Sequence, residues 1–193
     1  MTMNKRLVCS VALVIGLVTG GVALEATQSV GKVALENIEQ TVLRISPKGL
    51  SIIGNAEGCR LDPYTCPAGR PTNGIGNTHG VQEKKVSLEQ VAKDWVKNVE
   101  GAEQCIRQAE IAAKKVMTQG QFDAFTSFSF NTGCQRLRQN RNGSTTQIYR
   151  YLQQGQFTQA CDQLPRWIYG GGVKLKGLVH RREQEYARCM ALD

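Results

Sequence analysis

The chain is poor in histidine and in aromatic residues, and both shortages exclude classes of function. It has 2 histidines, and none of its 7 cysteines forms a CxxC pair, so we expect no metal site. Aromatic side chains make up 6% of the residues and no nucleic-acid-binding motif is present, which argues against a nucleic-acid partner. The glycine run at 170–172 lacks the strand–GxxxxGK–helix context of a phosphate loop. We therefore expect a protein without a cofactor.

Length and charge narrow the class further. A chain of 193 residues suits one main domain plus a short extra segment. The net charge of +8 and the pI near 9.3 favour anionic partners, such as acidic lipid or the bacterial cell wall, without choosing among them. No coiled-coil heptad pattern is present, and we expect a monomer.

Residues 1–25 form a distinct N-terminal segment. Lys5 and Arg6 precede residues 7–24, which carry no charge and can just span a bilayer as a helix. Several glycines weaken this run as a permanent anchor. A cleaved secretory signal with a poor cleavage site is an alternative. The position of Cys9 within the run favours a third possibility, a signal-anchor segment that exports the chain and later leaves the membrane intact.

Beyond this segment the hydrophobic pattern predicts a mainly helical α+β fold. The pattern divides the chain into a linker helix over 26–46, an N-terminal lobe over 47–86 and a helical C-terminal lobe over 87–193. The two lobes make up one domain, residues 47–193. Glycines and turn residues between Cys66 and Val81 predict a short β-hairpin region in the first lobe. Ser87 begins a capping-box pattern that opens a long helix.

A carboxylate, a thiol and a hydroxyl at fixed spacing are the most informative feature of the sequence. Glu57 ends an apolar helical stretch, Cys66 follows nine residues later and Thr72 six residues after that. The phage-type lysozymes, glycoside hydrolase family 24, carry Glu-x8-Asp-x5-Thr in this setting. The run from Glu57 to Gly76 therefore resembles theirs, with cysteine in place of the aspartate. The resemblance covers about residues 47–190.

The N-terminal segment narrows this resemblance. Because it bears Cys9, the chain is similar to the signal-anchor-release endolysins of temperate phages that have a catalytic cysteine. The resemblance implies a lysozyme-like fold, with a small lobe and a helical lobe joined by a long helix. It implies hydrolysis of the β-1,4 bond between N-acetylmuramic acid and N-acetylglucosamine in peptidoglycan. It also implies a chain held at the host inner membrane, facing the periplasm, and then released into the periplasm for host lysis.

The catalytic roles follow from the chemistry of glycoside cleavage. The leaving oxygen must be protonated while an oxocarbenium-like centre is stabilised and attacked. By resemblance, Glu57 is the acid, and the Cys66 thiolate supplies negative charge or activates water. Thr72 positions water through its hydroxyl. Asp62 is an alternative second acid if Cys66 has only a structural role, although it falls five residues after Glu57 rather than nine.

Four of the cysteines lie in the predicted helical lobe and can form two structural bridges, with three possible connectivities. They are Cys105, Cys134, Cys161 and Cys189. We favour Cys105 with Cys189 and Cys134 with Cys161, the latter joining neighbouring helices.

The other three cysteines, Cys9, Cys59 and Cys66, allow only one bridge at a time. Their spacing fits either a permanent Cys59–Cys66 bridge or a regulatory exchange. The resemblance favours exchange, in which a Cys59–Cys66 bond blocks the enzyme until Cys9 leaves the membrane, bonds Cys59 and frees Cys66.

Two other classes of function are open at this stage. The chain could be a non-catalytic wall-binding or lysis-regulating protein on a lysozyme scaffold, with Cys66 marking a lost active site. It could also lyse through a membrane-active N-terminus. Of these functions, only the enzymatic one would require Glu57. The presence of Glu57 and Thr72 at the spacing of the family argues against a lost active site.

Overall fold

A computed structural model of the chain describes residues 7–20, 43–66 and 69–192, which fall into two compact units. The described part of unit 1 is 7–20, 57–66 and 69–98, and that of unit 2 is 43–56 with 99–192. The helices are α1 Val11–Thr19, α2 Pro47–Glu57, α3 Leu88–Ala113, α4 Gln119–Thr132, α5 Cys134–Arg138, α6 Gln147–Gln153, α7 Phe157–Cys161 and α8 Lys176–Met190, with a 3-10 turn at Leu164–Arg166. The strands are β1 Arg60–Thr65, β2 Pro71–Gly74, β3 Tyr169–Gly170 and β4 Val173–Lys174.

The prediction of a mainly helical α+β fold is confirmed by these elements. The predicted hairpin region was placed too late, because β1 already begins at Arg60. Sequence reasoning took the turn signals after Cys66 as the start of the hairpin, whereas Cys66 already follows its first strand, and the turn residues Asn73 and Gly74 lie within the second. The linker helix predicted over 26–46 falls mostly outside the described residues, and its last four residues, 43–46, lie outside any helix.

Unit 1 contains the β1–β2 hairpin, which is antiparallel and irregular. Arg60 pairs with Gly74 and Tyr64 with Thr72, and the register shifts between these two pairs. Such a shift bends a strand and redirects its side chains. The first part of α3 also belongs to this unit, and its Val91 side chain lies against Gly74. Ser87 caps the helix, since its hydroxyl accepts a hydrogen bond from the Gln90 amide at 3.1 Å.

Unit 2 has a single large hydrophobic core around α4. The three phenylalanines of this helix, Phe122, Phe125 and Phe128, are fully buried. Thr118 caps the start of α4 with a complete capping box to Gln121. The core draws side chains from α3 to α8, so the helices of this unit are stabilised mainly by shared burial.

A buried carboxylate on α4 fixes the start of α2. Asp123 is fully buried and accepts hydrogen bonds from the Ser46 amide at 2.8 Å and from the Arg188 guanidinium at 2.9 Å. Gly49 allows this approach, because a β-carbon there would lie 2.8 Å from the Asp123 side chain. The helix that carries Glu57 at its last residue therefore starts at a fixed point.

A second buried ionic cluster lies on α8. The Glu185 carboxylate forms ion pairs with Arg181 Nε and Arg182 Nε, each with an N–O distance of 3.1 Å. It also accepts a hydrogen bond from the Ser127 hydroxyl at 2.7 Å. Burial lowers the pKa of Arg182 to about 10, which still leaves it charged at neutral pH. Arg182 also lies over the Phe128 ring and donates to Asn131 at 2.6 Å.

The disulfides of unit 2 differ from the predicted pairing. The four cysteines do form two bridges, but these are Cys105–Cys134 and Cys161–Cys189. The first joins α3 to the start of α5, and the second joins α7 to α8. The favoured pairing of Cys105 with Cys189 and of Cys134 with Cys161 was therefore wrong. Which helices become neighbours is decided by the packing of the core, and spacing along the chain does not reveal it.

The described part of the N-terminal segment consists of a short extended stretch and a nine-residue helix. Helix α1 begins after Ser10, whose hydroxyl accepts from the Leu13 amide, and ends before Gly20. Val14 is buried in unit 1. Among residues 7–20, 43–66 and 69–192, no helix is both long enough and apolar enough to cross a membrane.

Candidate active site

All three catalytic candidates belong to unit 1, and each is held by a different element. Glu57 is the last residue of α2, Cys66 directly follows β1, and Thr72 lies in β2. Glu57 and Cys66 are half-buried, whereas Thr72 is buried. The hairpin register that pairs Tyr64 with Thr72 brings the hydroxyl back alongside the end of β1.

The Glu57 carboxylate lies directly over Gly76. A β-carbon at Gly76 would be 2.9 Å from Glu57 Oε2, closer than side chains tolerate. Gly76 also has a φ of +66°, a conformation that favours glycine. Both facts explain why a glycine ends the motif, because the turn after β2 forms one wall against the carboxylate.

One carbonyl oxygen links Cys66 to Thr72. The carbonyl of Arg70 accepts a hydrogen bond from the Cys66 amide at 2.9 Å and another from Thr72 Oγ1 at 3.0 Å. The loop between them is closed further by the Gly69 amide, which donates to the Cys66 carbonyl at 2.8 Å. Since the Thr72 hydroxyl gives its hydrogen to Arg70, its oxygen can accept a hydrogen bond from water.

Tyr64 lies within electrostatic range of both Glu57 and Cys66. Burial raises the pKa of the Tyr64 phenol, and the negative charges of Glu57 and Cys66 raise it further. Arg60 lies over the Tyr64 ring, 4.2 Å from its centre, and opposes this effect. Glu57 and Cys66 therefore both lie close enough to Tyr64 to affect its phenol electrostatically. The sequence did not mark Tyr64 as a residue near the site, because tyrosine is common in strands.

The turn that carries Gly76 is held by buried amides. Asn73 and Asn77 exchange backbone hydrogen bonds of 3.0 Å, and the Asn77 side chain donates to Asn73 at 3.0 Å and to the His79 carbonyl at 2.9 Å. The Asn98 side chain donates to Asn77 at 3.2 Å. These bonds satisfy the buried polar groups and make the wall beside Glu57 rigid. Only the turn signal itself was visible in the sequence.

Asp62, the alternative second acid, is engaged elsewhere. Its Oδ1 accepts a hydrogen bond from the Leu7 amide at 2.9 Å, and its Oδ2 pairs with Arg60. The bond from Arg60 lowers the pKa of Asp62, and the bond from Leu7 acts in the same direction. Both carboxylate oxygens are thus used to hold the N-terminal segment and its neighbouring strand.

The N-terminal segment is covalently attached to this unit. Cys9 is bonded to Cys59, and Cys66 lies outside the disulfides. The sequence allows Cys59 to bond either Cys66 or Cys9, and the structure contains the Cys9–Cys59 bond. Cys66, at the position where the phage-type lysozymes carry an aspartate, is therefore not consumed by this bridge. The arrangement provides a carboxyl group that can donate a proton and a sulfur at the position where glycosidases of this type carry their second carboxylate.

Known proteins share both the sequence and the fold. The phage lysozyme family matches residues 54–185. The SAR-endolysin of Escherichia phage P1 is 44% identical over 154 residues, which are 77% of this chain and 82% of that protein. A crystal structure of the active form of the P1 phage endolysin Lyz matches with a TM-score of 0.79 and 38% identity, covering 95% of each chain.

A second structure of the same relative allows a further comparison. The secreted inactive form of the P1 endolysin matches with a TM-score of 0.54 and 41% identity, covering 76% of this chain and 95% of the other. The fold is therefore lysozyme-like, as the sequence predicted. Because the phage lysozyme family matches residues 54–185, which are most of this chain, the chain belongs to that family, whose members are glycoside hydrolases.

Proposed function

We propose that the protein is a muramidase that hydrolyses the β-1,4 bond between N-acetylmuramic acid and N-acetylglucosamine in peptidoglycan, for lysis of a bacterial host. The observation that carries this proposal is the convergence in unit 1 of the three motif residues. The Arg70 carbonyl accepts hydrogen bonds from both the Cys66 amide and the Thr72 hydroxyl. The charges of Cys66 and Glu57 both act on the phenol of Tyr64. The net charge of +8 suits an anionic wall polymer.

Each motif residue has a role in this reaction. Protonated Glu57 gives its proton to the glycosidic oxygen as the bond from that oxygen to the anomeric carbon breaks. The Cys66 thiolate supplies negative charge against the oxocarbenium-like centre, or takes a proton from the attacking water. Thr72 orients that water by accepting its hydrogen bond. Asp62 is a poorer candidate for the second acid, because its oxygens already bind Leu7 and Arg60.

The N-terminal segment gates this activity in our proposal. While the segment lies in the inner membrane, Cys59 is bonded to Cys66 and the catalytic sulfur is unavailable. After release into the periplasm the Cys9 thiolate attacks Cys59, the Cys59–Cys66 bond breaks, and Cys66 leaves as a thiolate. One disulfide replaces another, the proton of Cys9 passes to solvent, and no external oxidant or reductant is consumed.

Two observations support the gate. The structure contains the Cys9–Cys59 bond, which is the product of this exchange. It also matches the active form of the P1 endolysin over 95% of the chain but the secreted inactive form over only 76%. The word SAR in the name of the P1 relative describes a signal-anchor that is later released, which agrees with the uncharged run at residues 7–24.

The test is a comparison of the full chain with its Cys9→Ser variant. Both are expressed for export, released from the membrane and assayed for clearing of purified cell walls, before and after mild reduction. Alkylation with a thiol reagent and mass spectrometry report the state of Cys66. We expect wild type to be active without reduction, and Cys9→Ser to be inactive until reduction exposes Cys66.

The outcomes separate the parts of the proposal. Full activity of unreduced Cys9→Ser would reject the gate and leave the muramidase standing. A folded wild-type protein that clears no walls even after reduction would reject the muramidase and point to the non-catalytic wall-binding function. A Ser10→Ala variant is the control, because it alters the neighbouring residue and the α1 cap without removing a thiol.

A further inference from the structure

The length of β1 limits which disulfide Cys59 can form. Cys59 and Cys66 flank the six-residue strand Arg60–Thr65. A strand of that length spans about 20 Å, whereas the α-carbons of a disulfide are separated by about 4.4–6.8 Å. The extended β1 and a Cys59–Cys66 bond therefore exclude each other. Whatever stabilises extended β1 favours the form in which Cys59 is bonded to Cys9.

The N-terminal segment supplies such a contact, because it adds a short antiparallel strand to the start of β1. The Cys9 amide donates to the Cys59 carbonyl at 3.1 Å, and the Leu61 amide donates to the Leu7 carbonyl at 2.8 Å. Val8 stands opposite Arg60. This register places Cys9 directly opposite Cys59, with α-carbons 5.0 Å apart. A slip of one residue would turn the Cys9 side chain to the other face.

Asp62 completes this pairing where the backbone cannot. In a regular antiparallel pair of strands the Leu7 amide would donate a hydrogen bond to the Leu61 carbonyl. That carbonyl instead accepts a hydrogen bond from the Val86 amide at 3.0 Å. The Leu7 amide donates instead to Asp62 Oδ1 at 2.9 Å. Arg60 pairs with the other oxygen, so the carboxylate ties the segment and the strand together. Hydrogen bonds to an ionised acceptor are stronger than those to a neutral one.

We propose that Asp62 is a positioning residue that latches the N-terminal segment to extended β1, and that this latch drives the thiol–disulfide exchange toward Cys9–Cys59. The inference rests on the proposed exchange. Breaking one disulfide and forming another of the same kind gives the sulfur chemistry little preferred direction, so the non-covalent contacts of the product decide the equilibrium. Asp62 thus acts in activation and stays outside the chemistry on the glycan.

The experiment measures the equilibrium between the two disulfide isomers in the full chain. Released wild type, Asp62→Ala, Asp62→Asn and Glu83→Ala are equilibrated without denaturant in a buffer with a catalytic amount of small thiol. They are quenched with acid, alkylated and analysed by peptide mass spectrometry. Glu83 is the matched control, since it is an exposed acidic residue of the same unit.

We expect Asp62→Ala to shift the ratio of Cys9–Cys59 to Cys59–Cys66 by about tenfold toward the latter. Asp62→Asn should give a smaller shift, because its amide oxygen can still accept from Leu7 although the charge is lost. Glu83→Ala should match wild type. A ratio in Asp62→Ala equal to that of wild type would overturn the latch, and Asp62→Asn supplies the same decision if the alanine variant does not fold.

A second readout separates the latch from catalysis. In a background that carries both Cys9→Ser and Cys59→Ser, neither of these positions can form a disulfide with Cys66, so wall clearing no longer depends on exchange. Addition of Asp62→Ala to this background should leave the rate of wall clearing unchanged, whereas a large loss would assign Asp62 to catalysis and reject the latch. The isomer ratio does not depend on wall clearing, so failure of the proposed muramidase would be recognised separately, by inactive wild type with a normal ratio.

Discussion

The two units of this protein use disulfides and buried charge in opposite ways. In unit 2, the Cys105–Cys134 and Cys161–Cys189 bridges join helices that also share one continuous core. In unit 1, the Cys9–Cys59 bridge attaches a short N-terminal stretch beside the three candidate catalytic residues. The difference indicates that cross-links in unit 2 reinforce a fold that packing already specifies, whereas the bridge in unit 1 ties down a segment that, in our proposal, changes partners during activation.

The buried charges follow the same division. Glu185 in unit 2 is fully buried between two arginines, and nothing in our mechanism requires it to change. Asp62 in unit 1 is partly exposed and holds a segment that, in our proposal, lies in the membrane before release. Substitutions in the two units should therefore affect different measurements.

The largest effect is expected at Glu57. Glu57→Gln keeps the shape of the side chain but removes its transferable proton, so the rate of wall clearing by reduced protein should fall by about 10³-fold. The melting temperature should stay close to that of wild type, because the carboxylate is half-buried at a helix end. Glu83→Gln provides the matched control. Retention of more than a tenth of the activity would contradict the assignment of Glu57 as the acid.

Substitution of Glu185 should do the reverse and lower stability. Glu185→Ala leaves Arg181 and Arg182 buried without their shared carboxylate, and breaking such a buried pair reduces the free energy of unfolding by about 3–5 kcal/mol. Urea unfolding measures the loss. Glu183→Ala, on an exposed position of the same helix, should change stability little. A loss of stability no larger in Glu185→Ala than in Glu183→Ala would show that the cluster does not stabilise unit 2.

The smallest effect concerns pH and is confined to the Asp62 latch. Its pKa is lowered in the folded state, chiefly by Arg60, so its contribution to docking is present above the ordinary value of 3.8. That contribution is lost as the pH falls through the lowered folded value. The NMR shift of the Leu7 amide should stay constant from about pH 7 to pH 4 and move only below that range.

Two comparisons test the origin of this acid transition. Asp62→Asn should lack it, since its amide does not titrate in this range. A transition in wild type above the ordinary aspartate value would mean that Asp62 is not stabilised in its charged form, and it would count against the latch.

The local elements of the fold were predictable because their signals are local. The capping pattern at Ser87 predicted where the long helix α3 begins, since a capping side chain bonds the amide two or three residues ahead. The candidate residues of the site could also be named, because the run from Glu57 to Gly76 resembles the Glu-x8-Asp-x5-Thr pattern of the phage-type lysozymes. Their assignment to one unit agrees with that expectation.

The disulfide pairing and the buried ionic groups were not predictable in the same way. Cys134 bonds Cys105 because α5 starts beside α3, a consequence of how the core of unit 2 packs. The sequence analysis did not single out Asp123 or Glu185, and both are fully buried in the structure. Their burial depends on partners far along the chain, such as Arg188 for Asp123 and Ser127 for Glu185.

The sequence by itself determined the helical class, the catalytic candidates and the choice of cysteines available for exchange. Those properties depend on residue type and on spacing along the chain. The tertiary structure decided which cysteines bond, that Tyr64 lies within electrostatic range of Glu57 and Cys66, and that Asp62 binds Leu7. These features depend on strand register and core packing, which bring together groups that are distant in sequence.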